Sequence, residues 1–179
     1  MILSDGEIWD ALESGELEID PLPQDGSAIQ PSSIDLLLDP VLRVQREDAV
    51  KGIVVDPTEL DVVDYINRFT DPVDLSDGRP YEMRPGAFVI GQTKERIRLP
   101  LNIAARVEGK SSLARLGVSV HFTAPKIDPG YDNRITLELY NFGPFTIRLS
   151  SNMKICVLIV ERLGQPAKQG YRGRFQGTS

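Results

Sequence analysis

The sequence predicts a mainly β subunit, a distorted barrel or jelly roll with a few short helices. Three observations carry that expectation. From Pro85 onward the chain breaks into short apolar or alternating runs, each bounded by Gly, Pro, Asp or Asn. The breaks recur at roughly 8–12 residues, the rhythm of a sandwich or barrel rather than of βαβ units. Helical signals are few and brief, and no repeat or heptad pattern competes with them.

Taken in order, Ser4-Asp5-Gly6-Glu7 has the form of a capping box. Ile8, Trp9 and Leu12 follow at helical spacing and Gly15 is a natural stop, so a helix is expected over residues 5–14. Residues 16–31 are rich in Pro, Gly and Asp and read as loop with brief extended pieces. Two strands, 33–38 and 41–44, flank an Asp39-Pro40 turn. Residues 46–84 read as a variable excursion with one short helix in 59–69. Strands are then expected at 88–91, 96–99, 103–107, 118–122, 134–141, 145–149 and 154–162. The chain is thus read as one domain over 1–179, with 164–179 a flexible Gly-rich tail carrying Lys168, Arg172 and Arg174 and no acid.

Composition narrows the function. A chain of 179 residues can bury a sizeable core in a single domain. No apolar run approaches the roughly 18 residues needed to span a bilayer. Asp5, Glu7 and Asp10 are unlike a secretory signal, so the expected compartment is the cytoplasm. A net charge of −6 argues against a nucleic-acid polymer as partner but not against a small polyphosphate held by a few local cations. Cys156 and His121 are the sole residues of their kinds. They form no disulfide within the chain, and they cannot supply the nitrogen and sulfur ligands of a zinc site or a zinc deaminase. A Ser-His-Asp or Cys-His nucleophile would have to use His121. Chemistry therefore falls to carboxylates, hydroxyls, Arg, Lys and backbone groups.

Three runs carry such groups. Gly109-Lys110-Ser111-Ser112-Leu113-Ala114-Arg115-Leu116-Gly117 follows an apolar strand and opens a short helix. Ser111 and Arg115 are four apart and share one face, so with Lys110 they can offer a hydroxyl, a guanidinium and an amine to one anion. A nucleoside-triphosphate P-loop is excluded, because Ala104 stands where its first Gly belongs. The plainer reading is a capped turn with surface cations. The second run, 134–141, alternates: Ile135, Leu137 and Leu139 on one face, Thr136, Glu138 and Tyr140 on the other. Glu138 is either part of a solvated face or, if partly buried, a carboxylate fit for acid–base work. The third, 121–131, holds Asp128-Pro129-Gly130, a turn that reads either as a tight hairpin with Tyr131 packed across it or as a ligand-facing hairpin.

In this order and spacing, the three runs resemble the trimeric dCTP deaminase and dUTPase superfamily. So do Ile2-Leu3-Ser4-Asp5, Gln30-Pro31-Ser32-Ser33-Ile34-Asp35-Leu36 and Phe88-Val89-Ile90-Gly91-Gln92-Thr93, which match its deaminase branch. The resemblance implies a dUTPase-like barrel or jelly roll, a homotrimer with interfacial active sites, and hydrolysis of dCTP to dUTP and ammonia. It implies Mg²⁺ carried by the substrate triphosphate, no protein metal site, and dTTP as an inhibitor. Glu138 would be the general base and acid. Ser111 and the Ala124 carbonyl would hold the attacking water. Arg115, from a neighbouring subunit, would bind phosphate and support Glu138. Lys110 and Ser112 would hold phosphates, Asp128 the deoxyribose, and the backbone of Thr136, Leu137 and Glu138 the base. Tyr171, Arg174 and Gln176 would close over the triphosphate. Pro125 and Val157 depart from the family pattern and leave two alternatives: a bifunctional enzyme that forms dUMP, and a dUTP diphosphatase. A nucleotide sensor without turnover is a third.

Overall fold

Ser4 caps the first helix as its sequence demands. Its Oγ accepts the Glu7 N–H at 3.4 Å, and the Glu7 carboxylate takes the Ser4 N–H at 2.8 Å. The resulting helix, α1 (Asp5–Glu13), buries Ile8 and Ala11. The computed structural model describes residues 1–56 and 58–173. After α1 come β1 (Glu18–Asp20), β2 (Ile29–Gln30), β3 (Ser33–Leu37) and β4 (Val41–Gln45). The excursion holds α2 (Glu47–Val50), α3 (Val62–Phe69), β5 (Thr70–Asp74) and β6 (Tyr81–Met83). The remainder is β7 (Phe88–Arg98), β8 (Ile103–Gly109), α4 (Ser111–Ala114), β9 (Val118–Ser119), β10 (Lys126–Ile127), β11 (Asp132–Asn141), β12 (Ile147–Leu149) and β13 (Lys154–Arg162).

One sheet runs β5-β4-β7-β11-β9, with β1 also paired to β7; the other runs β10-β8-β13-β3-β2; β12 pairs with β6. Val89, Ile97, Leu137 and Leu139 of the first sheet and Ile34, Leu36, Val107 and Leu158 of the second enter one core. Each such buried aliphatic side chain stabilises the fold by about 2 kcal/mol. The chain crosses between the sheets just after β3. There Leu38 bridges to Thr93, and the Asp39 N–H donates to the Gln92 carbonyl at 3.0 Å. The mainly β, jelly-roll expectation holds, and the barrel is left open rather than closed by continuous strand pairing.

Several elements differ from expectation for identifiable reasons. The runs at 88–91 and 96–99 are one strand, β7. Its polar middle looked like a break, but Thr93 and Glu95 are buried there and hydrogen-bonded. The strand expected at 118–122 stops at Ser119, whose hydroxyl turns back to donate to the His121 carbonyl at 2.5 Å. The helix expected in 59–69 begins at Val62, because the Asp61 side chain accepts the Val63 and Asp64 N–H groups. The turn at Asp128–Gly130 closes no hairpin: β10 pairs with β8 and β11 with β7, so the turn carries the chain from one sheet to the other. No described helix is long and apolar enough to cross a membrane.

Candidate active site

Strand β11 sets the central carboxylate. Ile135, Leu137 and Leu139 point into the core, which obliges Thr136, Glu138 and Tyr140 to face the other way. Glu138 is half-buried there. Burial pushes its carboxyl above the ordinary range, against the smaller opposing pulls of its own backbone N–H, the His121 imidazole and the Phe122 N–H. A carboxyl poised this way exchanges a proton closer to neutrality than a solvated Glu does.

The cation-rich run lies between β8 and β9. Lys110 is the N-cap of α4, and its carbonyl accepts from the Leu113 and Ala114 N–H groups. Ser111, Ser112 and Arg115 are exposed on the short helix, and the Arg115 N–H donates to the Ser111 carbonyl. The exit of α4 is pinned to the end of β11. A Cβ on Gly117, at φ +90°, would come within 2.2 Å of the Gly143 nitrogen. The Phe142 N–H donates to the Gly117 carbonyl at 2.8 Å. A cleft of about 360 Å³ between these segments is lined by Gly109, Ala114, Gly117, Val118, His121 and Phe142.

Lys110 is already engaged. Its ammonium pairs with Asp35 on β3, whose side chain is 4% exposed and also binds Lys154 at 2.9 Å. Burial opposes the Asp35 charge, but the two lysines outweigh it and hold the carboxyl below its usual value. Asp128 pairs with Lys126 at 2.6 Å. Thr136 is exposed while the Leu137 side chain is buried, which leaves the backbone of Leu137 as the polar part of that residue. The Tyr171 ring lies 5.5 Å from that of Tyr131, and its N–H donates to the Pro129 carbonyl at 2.7 Å. Tyr171 thus sits on the Asp128–Gly130 turn. Arg174 and Gln176 lie outside the described residues. Among the described residues of one subunit, Glu138 has no hydrogen bond or ion pair with Ser111, Arg115 or Ala124.

Two features escaped the sequence reading. His121, set aside there as a nucleophile's base, is near enough to Glu138 to act on its carboxyl electrostatically, and its Nε2 lies 4.0 Å from Glu108, at the outer limit of an ion pair. Phe122, next to His121 in the chain, joins Phe88, Tyr140 and Phe142 in an aromatic cluster with contacting ring centroids 4.3–6.1 Å apart. Its available signal was the set of aromatic residues on the polar face of β11 and just beyond its end. Among the described residues, no group of three or more His, Cys, Asp or Glu side chains converges as a metal-ligand set would.

A family profile described as dCTP deaminase-like matches residues 2–163. The dCTP deaminase of Halorubrum lacusprofundi is 40% identical over 173 residues, covering 96% of this chain and 82% of that protein. A dUMP-forming dCTP deaminase of Dictyoglomus thermophilum is 40% identical over 172 residues, 96% of this chain and 85% of its own. The crystal structure of a dCTP deaminase from Agrobacterium tumefaciens superposes with a TM-score of 0.69 at 25% identity, covering 91% of this chain and 48% of that one. With a matched profile across nearly the whole fold and relatives at this identity, the chain belongs to the dCTP deaminase-like family.

Proposed function

We propose that the chain hydrolyses the exocyclic amine of dCTP, releasing dUTP and ammonia, with Glu138 as the proton-transfer group. The observation that carries this is the half-buried Glu138 at the centre of β11, its carboxyl raised by burial. Water attacks C4 of cytosine, Glu138 takes its proton, and the same carboxyl delivers a proton to N3. The C4 hydroxyl of the tetrahedral centre then gives its proton to Glu138, which passes it to the amine, and ammonia leaves as the C4 carbonyl forms. One carboxyl whose proton affinity is raised by burial can serve each of these transfers in turn.

Ser111 and the Ala124 carbonyl hold the attacking water, and Arg115 binds phosphate and supports Glu138. Lys110 and Ser112 hold phosphates, Asp128 the deoxyribose, and the backbone of Thr136–Glu138 the base. Tyr171, with Arg174 and Gln176, closes the site. Arg115 reaches Glu138 from a neighbouring subunit of a homotrimer, whose active sites lie at the subunit interfaces. Support comes from the exposed aromatic surface beside it: Phe142 is 66% and Phe122 48% exposed, and apolar surface of this kind is usually covered by a partner. Mg²⁺ enters as the counter-ion of the triphosphate. dTTP shares the sugar and triphosphate but offers no 4-amino group, so it competes without turnover. The reaction belongs with the nucleotide pool of the cytoplasm.

A second product is favoured by one observation: relatives at 40% identity include both plain and dUMP-forming deaminases. Incubation with dCTP and Mg²⁺, in the presence of a chelator that spares Mg²⁺, separates the readings. Ammonia with dUTP supports the one-step deaminase, and ammonia with dUMP and pyrophosphate makes the enzyme bifunctional. Glu138→Gln is expected to lose about 10²–10⁴-fold in ammonia release. Full turnover by that variant would remove Glu138 from the mechanism.

A further inference from the structure

The run Thr93-Lys94-Glu95 interrupts the pairing of β7 with β11. Arg134 stands opposite Arg96 and Thr136 opposite Gln92, so Thr93, Lys94 and Glu95 together oppose the single residue Ile135. A bulge of this kind takes the β7 backbone away from its partner and leaves ladder groups without their usual acceptors. Ile135 is 4% exposed and Thr93 is 0% exposed, so bulk water does not reach them. The Thr93 hydroxyl fills the gap. It accepts the Ile135 N–H at 3.0 Å and donates to the Glu95 carbonyl at 2.8 Å.

The bulge is held on its other sides as well. The Glu95 carboxylate, itself buried, accepts the Leu37 N–H at 3.0 and 3.2 Å. Leu38, the next residue, bridges to Thr93. Arg134, which precedes Ile135, is tied to Asp39 at 3.0 Å. The segment that these contacts locate begins one residue later, at Thr136, and ends with Glu138.

We propose that Thr93 is a positioning residue for Glu138: its hydroxyl, bridging Glu95 and Ile135 across the bulge, sets the backbone of Thr136–Glu138 that presents the carboxylate. The proposal rests on Glu138 being the proton-transfer group. Without the hydroxyl, the Ile135 N–H is buried and unpaired. The buried N–H can recover a partner by a local movement of the bulge and the adjoining backbone, without a change of register, since a one-residue slip would turn Ile135, Leu137 and Leu139 out of the core. Glu138 is then misaligned while the core residues on either side remain apolar and packed.

The test compares Thr93→Val, which keeps the shape and removes the hydroxyl, with Thr93→Ser, which keeps the hydroxyl. Ammonia release from dCTP, melting temperature and amide exchange of the peptide covering Ile135–Glu138 are measured for both. Thr93→Val is expected to lose roughly tenfold to a hundredfold in kcat, more than it changes KM, as displacement of a catalytic group does. Exchange at Ile135–Glu138 should rise with it. Thr93→Ser should return kcat to within about threefold of the parent. Should Thr93→Val fail to fold, Thr93→Ala is read on the same scale. Wild-type kcat in a variant lacking the hydroxyl, or equal loss in the Ser and Val variants, overturns the proposal. Failure of the underlying mechanism shows elsewhere, as undiminished turnover by Glu138→Gln.

Discussion

Asp35 offers the sharpest test of how the run proposed to bind phosphate is held. Its carboxylate joins β3 to the N-cap of α4 through Lys110 and to the start of β13 through Lys154. Asp35→Ala leaves two ammonium groups without their shared partner. Breaking a fully buried pair from one side costs about 3–5 kcal/mol. The Lys154 side chain is 47% exposed, so its share is that of a surface pair, at most about 1 kcal/mol. Lys110 is 22% exposed and can swing partly to water, which reduces the larger share to about 2 kcal/mol. The sum is about 2–3 kcal/mol, or a fall in melting temperature of roughly 4–12 °C for a chain of this size. Urea unfolding at a fixed chain concentration measures it, because assembly makes apparent stability depend on concentration. Asp35→Asn separates charge from shape. The Asp35 carboxyl is held below 3.8 in the fold, so its contribution is complete at neutral pH and is lost as pH falls through the lowered value. The gap between wild type and Asp35→Asn should therefore close in acid. In a double-mutant cycle, Lys110→Met should recover about 1–2 kcal/mol of coupling. A loss below about 0.5 kcal/mol for Asp35→Ala, or no coupling to Lys110, would refute the assignment of Asp35 as anchor.

Two further outcomes follow from the geometry. Because burial raises the Glu138 carboxyl above 4.5, its basic form is present only above that raised value, and kcat/KM should fall on an acidic limb centred higher than 4.5; a limb at or below that value would contradict the assignment. Gly143→Ala would set a Cβ 2.0 Å from the Leu116 carbonyl oxygen. It should cost more than about 2 kcal/mol and displace the exit of α4, and an unchanged melting temperature would mean that the contact relaxes without strain.

Several local signals were legible. The capping box of Ser4 and Glu7 gives α1, and the alternation of Ile135, Leu137 and Leu139 gives β11 and the face of Glu138. Ser111 and Arg115 fall on one short turn, as their spacing requires. The run of motifs also identified the family before any strand was paired. Each of these features depends on residues within a few positions of one another, where side-chain periodicity and capping chemistry act directly.

The tertiary structure alone decided the rest. The polar middle of β7 reads as a break until its bulge is seen against Ile135. The turn at Asp128–Gly130 reads as a hairpin until β10 is found in the other sheet. Lys110 reads as a free cation until Asp35, 75 residues away, is brought beneath it. Glu95 reads as a surface acid until Leu37, 58 residues away, donates to it from inside the fold. His121 reads as an isolated imidazole until β9 is laid beside β11 and Glu138 comes within reach of its charge. A polar side chain's role depends on whether it is buried and what it then meets. Strand pairing sets both, and strand pairing joins residues whose sequence separation leaves no local trace.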